Sequence, residues 1–497
     1  MSFRLFTVAL WAGVASLVGW SPCLWAQATA PEPLDKQLWI KAEIMPKFNA
    51  QVRNGTQVLD TSNWTLPFTV CDLRDQSLCV KKTGDRWEAW IDRSEVLAPQ
   101  EAIGYYTAMI DRGENLAWAF NMRGISNREF KHYLLAINDF NIAAKLDPRN
   151  ENIYMRRGLT KKRMGDVSGA IADYDLALQI NPNKSILYQL RGVSWYSQKD
   201  YNRALADFTE AIRLDPVDDG AFMGRVATYH AIKNFDAALK DLDYLIKNDA
   251  NDTGYYYMRA AMWTEKGEHD RAIADYDIAI KLEPQNSDFY VFRAFAWHKK
   301  NDQMRALADL DNALKLNWRN TEAYHLRIII RCISSDLPGA IDDCSKLIEI
   351  NPLDSKAYSD RGAALTKNKM YFRAVSDLNE AIRLDPTLAD AYEHLAHIYS
   401  TCPEPAVRDA EKAVAYATKG CNLTQWKDAD QISTLAGAYS EAGNFDEAQK
   451  WQQQAIQLSK GSADSIERAK AKLAQYQRHI PLHVQLAAAI ETSQSTK

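Results

Sequence analysis

Arginine recurs at one phase of a 34-residue interval, at Arg123, Arg157, Arg191, Arg225, Arg259, Arg293, Arg327 and Arg361. Aspartate follows each of them by 16 residues, at Asp139, Asp173, Asp207, Asp241, Asp275, Asp309, Asp343 and Asp377. A planar guanidinium meets a carboxylate with two parallel hydrogen bonds. Equal numbers of opposite charge at a fixed offset fit an ion-pair ladder between adjacent helices. The functional alternative is an arginine ladder for a polyanion. The offset alone leaves open whether each pair lies within one repeat or spans two. Three histidines, His230, His298 and His325, sit in different repeats with no second ligand at helical spacing, so no metal site is expected. There is no glycine-rich phosphate loop, no GxSxG elbow and no Cys/His nucleophile signature. Paired carboxylates occur only as repeat features or surface charge. The residues point to binding without catalysis and without a cofactor.

Two helices per repeat must position these side chains. With position 1 set at Ala117, position 20 is alanine in eight successive repeats, from Ala136 to Ala374. Position 4 is always aromatic, from Phe120 to Tyr358, and position 8 is small in most repeats, as in Gly124, Gly158, Gly192 and Gly362. Spacings of three and four keep these residues on one helical face. Small residues let two backbones approach, and the aromatic rings fill the space beside them. Pro148, Pro182, Pro216, Pro284, Pro352 and Pro386 share one phase and stop each second helix. Only Ala250 and Trp318 break that phase. A period of this length means a solenoid, in which each repeat packs on its neighbours.

The pattern of aromatic, Gly/Ala, Ala, aromatic, Ala and Pro at these offsets resembles the tetratricopeptide repeat family. The resemblance implies a mainly α fold, a right-handed superhelix of helix pairs. Eight repeats cover 117–388, after a starting half-repeat helix at 99–116. Two divergent repeats follow at 389–462, then a capping helix at 463–478 and a loosely ordered tail at 479–497. Val226 and Ile328 depart from the small residue at position 8, and Leu245 and Leu347 from alanine at position 27. These two repeats are expected to pack their helices slightly farther apart. The family also implies a concave groove lined by positions 2, 5, 9, 12 and 13. Carried onto this chain, its centre is Met155, Lys162, Gln189, Tyr196, Met223, His230, Tyr257, His298 and His325. Such a surface suits an extended peptide or an amphipathic segment. Position 9 is apolar or alanine, so the asparagine-and-lysine clamp of some family members is absent.

Residues 36–98 break the period. Leu38–Ala42, Pro67–Val70 and Trp87–Ile91 read as short strands separated by turns such as Asn54-Gly55 and Gly84-Asp85. The run Gly84-Asp85-Arg86-Trp87 … Trp90-Ile91 … Val96-Leu97 resembles bacterial Src-homology-3-like domains and implies a small all-β barrel. Thr401-Cys402-Pro403 through Gly443-Asn444-Phe445 is similar to the C-terminal block of bacterial repeat proteins that carry such a barrel in front. Cys71 and Cys79 lie near the ends of strand-like runs and are a candidate disulfide stapling a hairpin. Cys332, Cys344, Cys402 and Cys421 fall in helical segments, where free apolar thiols are expected.

Residues 1–28 read as a secretory signal, with Arg4, an apolar run from Leu5 to Val18, and Ala26-Gln27-Ala28 before the cut. That run is shorter than a spanning helix needs. An exported protein of the periplasm, envelope or extracellular space is expected, with no integral membrane segment after cleavage. The chain is 46% hydrophobic and 25% charged, with a formal net charge of −4. This balance suits a folded protein and gives no argument for nucleic-acid binding. The reading is an exported, non-catalytic scaffold that holds a protein or peptide segment in its groove. The alternative is a structural assembly factor of the envelope, working through its convex face or ends, with the barrel contacting a cell-wall component.

Overall fold

The computed structural model describes residues 99–459 and 463–483, together with the backbone of seven short strands between residues 43 and 97. The signal-like residues 1–28, the strand candidate Leu38–Ala42 and the tail beyond 483 lie outside the described residues. The chain divides into two compact units, Met1–Glu268 and His269–Lys497.

In the first unit the strands are β1 (Glu43–Pro46), β2 (Val52–Asn54), β3 (Gln57–Val58), β4 (Phe68–Arg74), β5 (Ser77–Lys81), β6 (Ala89–Asp92) and β7 (Val96–Leu97). They pair antiparallel in the order β3-β2-β6-β5-β4-β1-β7. Among the described residues no pairing joins β3 to β7, so the order has two edges where the sequence suggested a closed barrel. Cys79 is the register partner of Asp72, and Cys71 falls at the register shift between Val70 and Asp72.

Ten helices follow in this unit: α1 (Pro99–Asp111), α2 (Leu116–Glu129), α3 (Tyr133–Leu146), α4 (Glu151–Met164), α5 (Val167–Ile180), α6 (Ser185–Ser197), α7 (Tyr201–Leu214), α8 (Asp219–Ala231), α9 (Phe235–Asn248) and α10 (Thr253–Glu265). The second unit holds α11 (His269–Leu282), α12 (Ser287–Lys299), α13 (Gln303–Leu316), α14 (Thr321–Ile333), α15 (Leu337–Ile350), α16 (Ser355–Lys367), α17 (Tyr371–Leu384), α18 (Ala389–Thr401), α19 (Ala410–Leu423), α20 (Ala429–Glu441), α21 (Phe445–Leu458) and α22 (Ala463–Gln477). Helices adjacent in sequence pack as antiparallel hairpins, and each hairpin packs on the next in its unit.

The recurring residues explain the hairpin. Every position-20 alanine, from Ala136 to Ala374, is fully buried. A methyl group built on Gly124 would meet the Phe140 ring at 2.8 Å, and one on Gly158 the Tyr174 ring at 2.7 Å. Glycine at position 8 therefore makes room for the ring at position 24 of the same repeat. Where Val226 and Ile328 replace it, the two helices approach less closely along their length, and Leu245 and Leu347 fill the gap as buried side chains. Position 15, at the turn between the helices, is left-handed at Lys131, Lys199, Lys233, Asn301, Ser335 and Lys369 as well as at Gly165 and Gly267. The residue before each proline is extended, and Asp249 and Asn317 adopt the same geometry before Ala250 and Trp318.

The arginines bridge two repeats at once. Within a repeat, Arg157 Nη2 donates to Asp173 at 2.5 Å, Arg191 to Asp207 at 2.7 Å and Arg225 to Asp241 at 2.7 Å. Arg123–Asp139, Arg293–Asp309, Arg327–Asp343 and Arg361–Asp377 repeat the pair. The other arm, Nη1, reaches back 16 residues to the second helix of the preceding repeat: to Asn141 from Arg157, Asp175 from Arg191, Thr209 from Arg225 and Asp243 from Arg259. Asp275 belongs to the second unit, where it is buried. Each of the eight guanidinium groups also lies 5.3–5.7 Å from the position-4 ring three residues earlier. The offset thus describes a structural clamp whose fork is already satisfied by protein carboxylates.

Candidate binding surface

Within each unit the first helices of successive repeats approach one another more closely than the second helices do, as α6 and α8 or α16 and α18 show. The first helices therefore lie on the inside of each stack. Their position-12 side chains remain open in part. Lys162, Tyr196 and His230 are half-buried on α4, α6 and α8. Among the described residues Lys162 has no hydrogen-bond or ion-pair partner, and burial pulls its amine down to about 8. Burial also lowers His230, against the pull of Glu265, and raises Tyr196, with Tyr201 adding to the effect. The Tyr196 ring centroid sits 5.6 Å from that of Tyr201, and the His230 ring 5.9 Å from Phe235. Each inner ring thus rests on the start of the following helix.

Position 5 behaves differently and corrects the expectation. Met155 is 2% exposed, Met223 3% and Tyr257 8%. Met155 packs with Ala170, Tyr174 and Leu190 in the core between repeats. These side chains floor the surface instead of lining it. Gln189 is half-buried, and its amide lies where a methyl group on Gly220 would stand, 2.1 Å from Nε2. Glycine at 220 lets this side chain cross to the next repeat.

The inner face of the first unit is cationic at its first two repeats. Arg128 and Arg156 are each 6% exposed. Burial, then the neighbouring Arg128, draws Arg156 down to about 10, opposed by Glu151. Glu129 accepts from Arg128 at 2.8 Å and from Arg163 at 3.2 Å. A cavity of about 380 Å³ opens nearby, between the start of α2 and the α3–α4 turn, lined in part by Asn115, Trp118, Asn121, Asp147 and Asn150.

In the second unit His298 is half-buried with Nδ1 2.9 Å from Gln303 Oε1. His325 Nδ1 stands 4.0 Å from Asp360. The structure brings neither histidine to another metal-ligating cluster, and among the described residues no group of three His, Cys, Asp or Glu could hold a metal. The inner face of this unit is acidic, which the repeat pattern did not reveal. Burial pushes Asp360 up to about 6 and Glu393 up to about 7, the latter helped by Asp430, Asp428 and Asp390. Glu393 accepts from Gln431 Nε2 at 3.1 Å and from Thr434 at 3.4 Å. Cys332, Cys344, Cys402 and Cys421 are free thiols. No helix among the described residues is long and apolar enough to cross a membrane.

Comparison with known proteins agrees with this architecture. Family models described as tetratricopeptide repeat match residues 151–184, 185–216, 231–287 and 433–461. Tetratricopeptide repeats are thus recognised in this chain. No curated protein matches it. Among solved structures it is similar to YrrB, described as a TPR protein with an unusual peptide-binding site, at 19% identity over 37% of this chain and 96% of that one, TM-score 0.33. It is also similar to a tetratricopeptide repeat protein from Parabacteroides merdae, at 17% identity over 54% and 98%, TM-score 0.38. MamA from Desulfovibrio magneticus matches at 19% identity over 34% and 96%, TM-score 0.33.

Proposed function

We propose that this protein is an exported, non-catalytic scaffold whose first unit holds a peptide or protein segment on its inner face. The row Lys162, Tyr196 and His230 carries the reading: a partly buried amine without a partner stands one repeat from a tyrosine and two from a histidine. Tyrosine supplies contact area at low entropic cost, and a desolvated amine favours a carboxylate. With Arg128 and Arg156 beside it, this face suits an acidic segment that also carries apolar or aromatic side chains. Residues 1–28 would direct export, and the strand-rich segment would act as a Src-homology-3-like module touching a cell-wall component. Selection from a displayed random-peptide library tests the reading. Enriched peptides should contain Asp or Glu with aromatic residues, and the Lys162→Glu, Tyr196→Ala, His230→Ala variant should lose them. Equal enrichment by that variant, with its helix content unchanged, rejects the groove.

A second reading is an envelope assembly factor that packs through its outer face or ends. Exposed Leu134, Met304 and Phe372 at the starts of second helices favour it, at 74%, 85% and 66% exposure. Under this reading the groove variant retains its partner, and Leu134→Asp with Phe372→Asp loses it.

A further inference from the structure

The second unit carries a contact that neither the repeat pattern nor the proposed function uses. After α22 the chain turns back and lays Pro481, Leu482 and His483 on α20. Leu482 Cδ1 lies 3.4 Å from where a methyl group on Gly437 would stand, and it packs on the cluster of Ala436, Ala448 and Tyr476. His483 Nδ1 bonds Glu441, which also accepts from Arg408 at 3.0 Å. Gly437 and Glu441 occupy positions 9 and 13 of their repeat, which face the inside of the stack. The chain's own returning segment therefore stands on the inner face of the last repeat.

We propose that residues 484–491 continue across this face and occupy the inner surface of the second unit as an internal ligand. The sequence Val484-Gln485-Leu486-Ala487-Ala488-Ala489-Ile490-Glu491 is apolar at nearly every position. Residues 482 and 483 are helical, and in a continuing helix Leu482, Leu486 and Ile490 share one face at spacings of four. Leu482 already points that face at Gly437. Eight further residues add about 12 Å of helix, enough to cross one neighbouring helix spaced about 8–10 Å away. The first surface met is α18, where His397 is exposed, followed by α16 with half-buried Ala363 and Thr366. Side chains at these positions are small or planar, which leaves room for an amphipathic helix laid in the groove. Because the ligand is tethered, its effective concentration is high and weak contacts suffice. The second unit would then be filled by its own chain, and external partners would be left to the first.

Hydrogen exchange on the full chain tests this. Amides 484–490 should exchange at least tenfold more slowly in the native chain than in Leu486→Asp. Gln485→Asp, on the opposite helical face, should leave them slow. His397→Asp, which leaves the segment untouched, should speed their exchange from the groove side. Equal exchange in the native and Leu486→Asp chains overturns the proposal. So does full protection in His397→Asp, which would mark a helix formed without docking.

Discussion

Removing one arm of the arginine clamp should loosen two repeats together. In Arg225→Ala the bidentate bonds to Asp241, 2.8 and 2.7 Å long, disappear with the reach to Thr209 at 3.3 Å. Asp241 is then left 7% exposed without its partner. Breaking a buried pair on one side costs roughly 3–5 kcal/mol, whereas a fully exposed pair is worth about 0.2–1. The Arg225 side chain is 16% exposed, which places the cost near the lower end of the buried range, about 3 kcal/mol. Loss of the guanidinium above Phe222, 5.5 Å away, adds about 0.5–1 kcal/mol. Burial alone would depress Arg225, yet the hydrogen bonds and charge of Asp241 hold it above its ordinary value. Stacked repeats open in parts, so local hydrogen exchange is the right assay. Amides of α8 and α9 should open about 100-fold more often, since each factor of ten is about 1.4 kcal/mol. Arg225→Leu with Asp241→Leu should recover most of the loss, because neither charge is stranded. A change below threefold in Arg225→Ala, or a double variant as unstable as the sum of the singles, would refute the reasoning.

Other substitutions separate space from propensity. Gly158→Ala should destabilise by about 1–3 kcal/mol because its methyl group meets the Tyr174 ring. Gly104→Ala, with nothing within 4 Å, should stabilise α1 by about 0.5–1 kcal/mol, both read by denaturant titration. Lys199 has φ 62, so Lys199→Gly should stabilise its turn by a few tenths to about 1 kcal/mol, and a lowered midpoint would contradict this. Glu393 is raised in the folded chain from 4.5 to about 7, so the folded state holds a proton that the unfolded state releases. Its stabilisation is complete below the unfolded value and is lost as pH rises through about 7. Melting temperature should therefore fall between pH 5 and 8 in the native chain, and Glu393→Gln should flatten that slope. Peptide binding to the first unit should weaken as pH rises through about 8, where Lys162 loses its charge, and Lys162→Arg should remove that dependence.

The repeat was legible because its constraints are steric and recur. Alanine at position 20 and glycine at position 8 stand where another backbone or ring leaves no room, so the same residue type returns each time. The arginine–aspartate offset was legible for the same reason. Its second arm was not, because Asn141, Asp175, Thr209 and Ser345 are all adequate acceptors and share no residue type. Position 5 was misjudged where depth depends on the neighbouring repeat: Met155 and Tyr257 sink between hairpins while Gln189 stays half-buried. The acidic character of the second unit was hidden because Asp360 and Glu393 hold different positions in their repeats. Their raised protonation comes from burial, which no single-sequence pattern records. The segment 481–483 carried no repeat signal, and only its contacts with Gly437 and Glu441 mark it.

The proposed role rests on the inside of the first stack, and photo-crosslinking locates a bound peptide directly. A photoreactive side chain would replace Tyr196 or His230 on the inner face, or Arg213, which projects outward with 63% of its side chain exposed. A library-selected peptide should be labelled from positions 196 and 230 and not from 213. Labelling from 213 with none from 196 or 230 would place the partner on the outer face and contradict the groove.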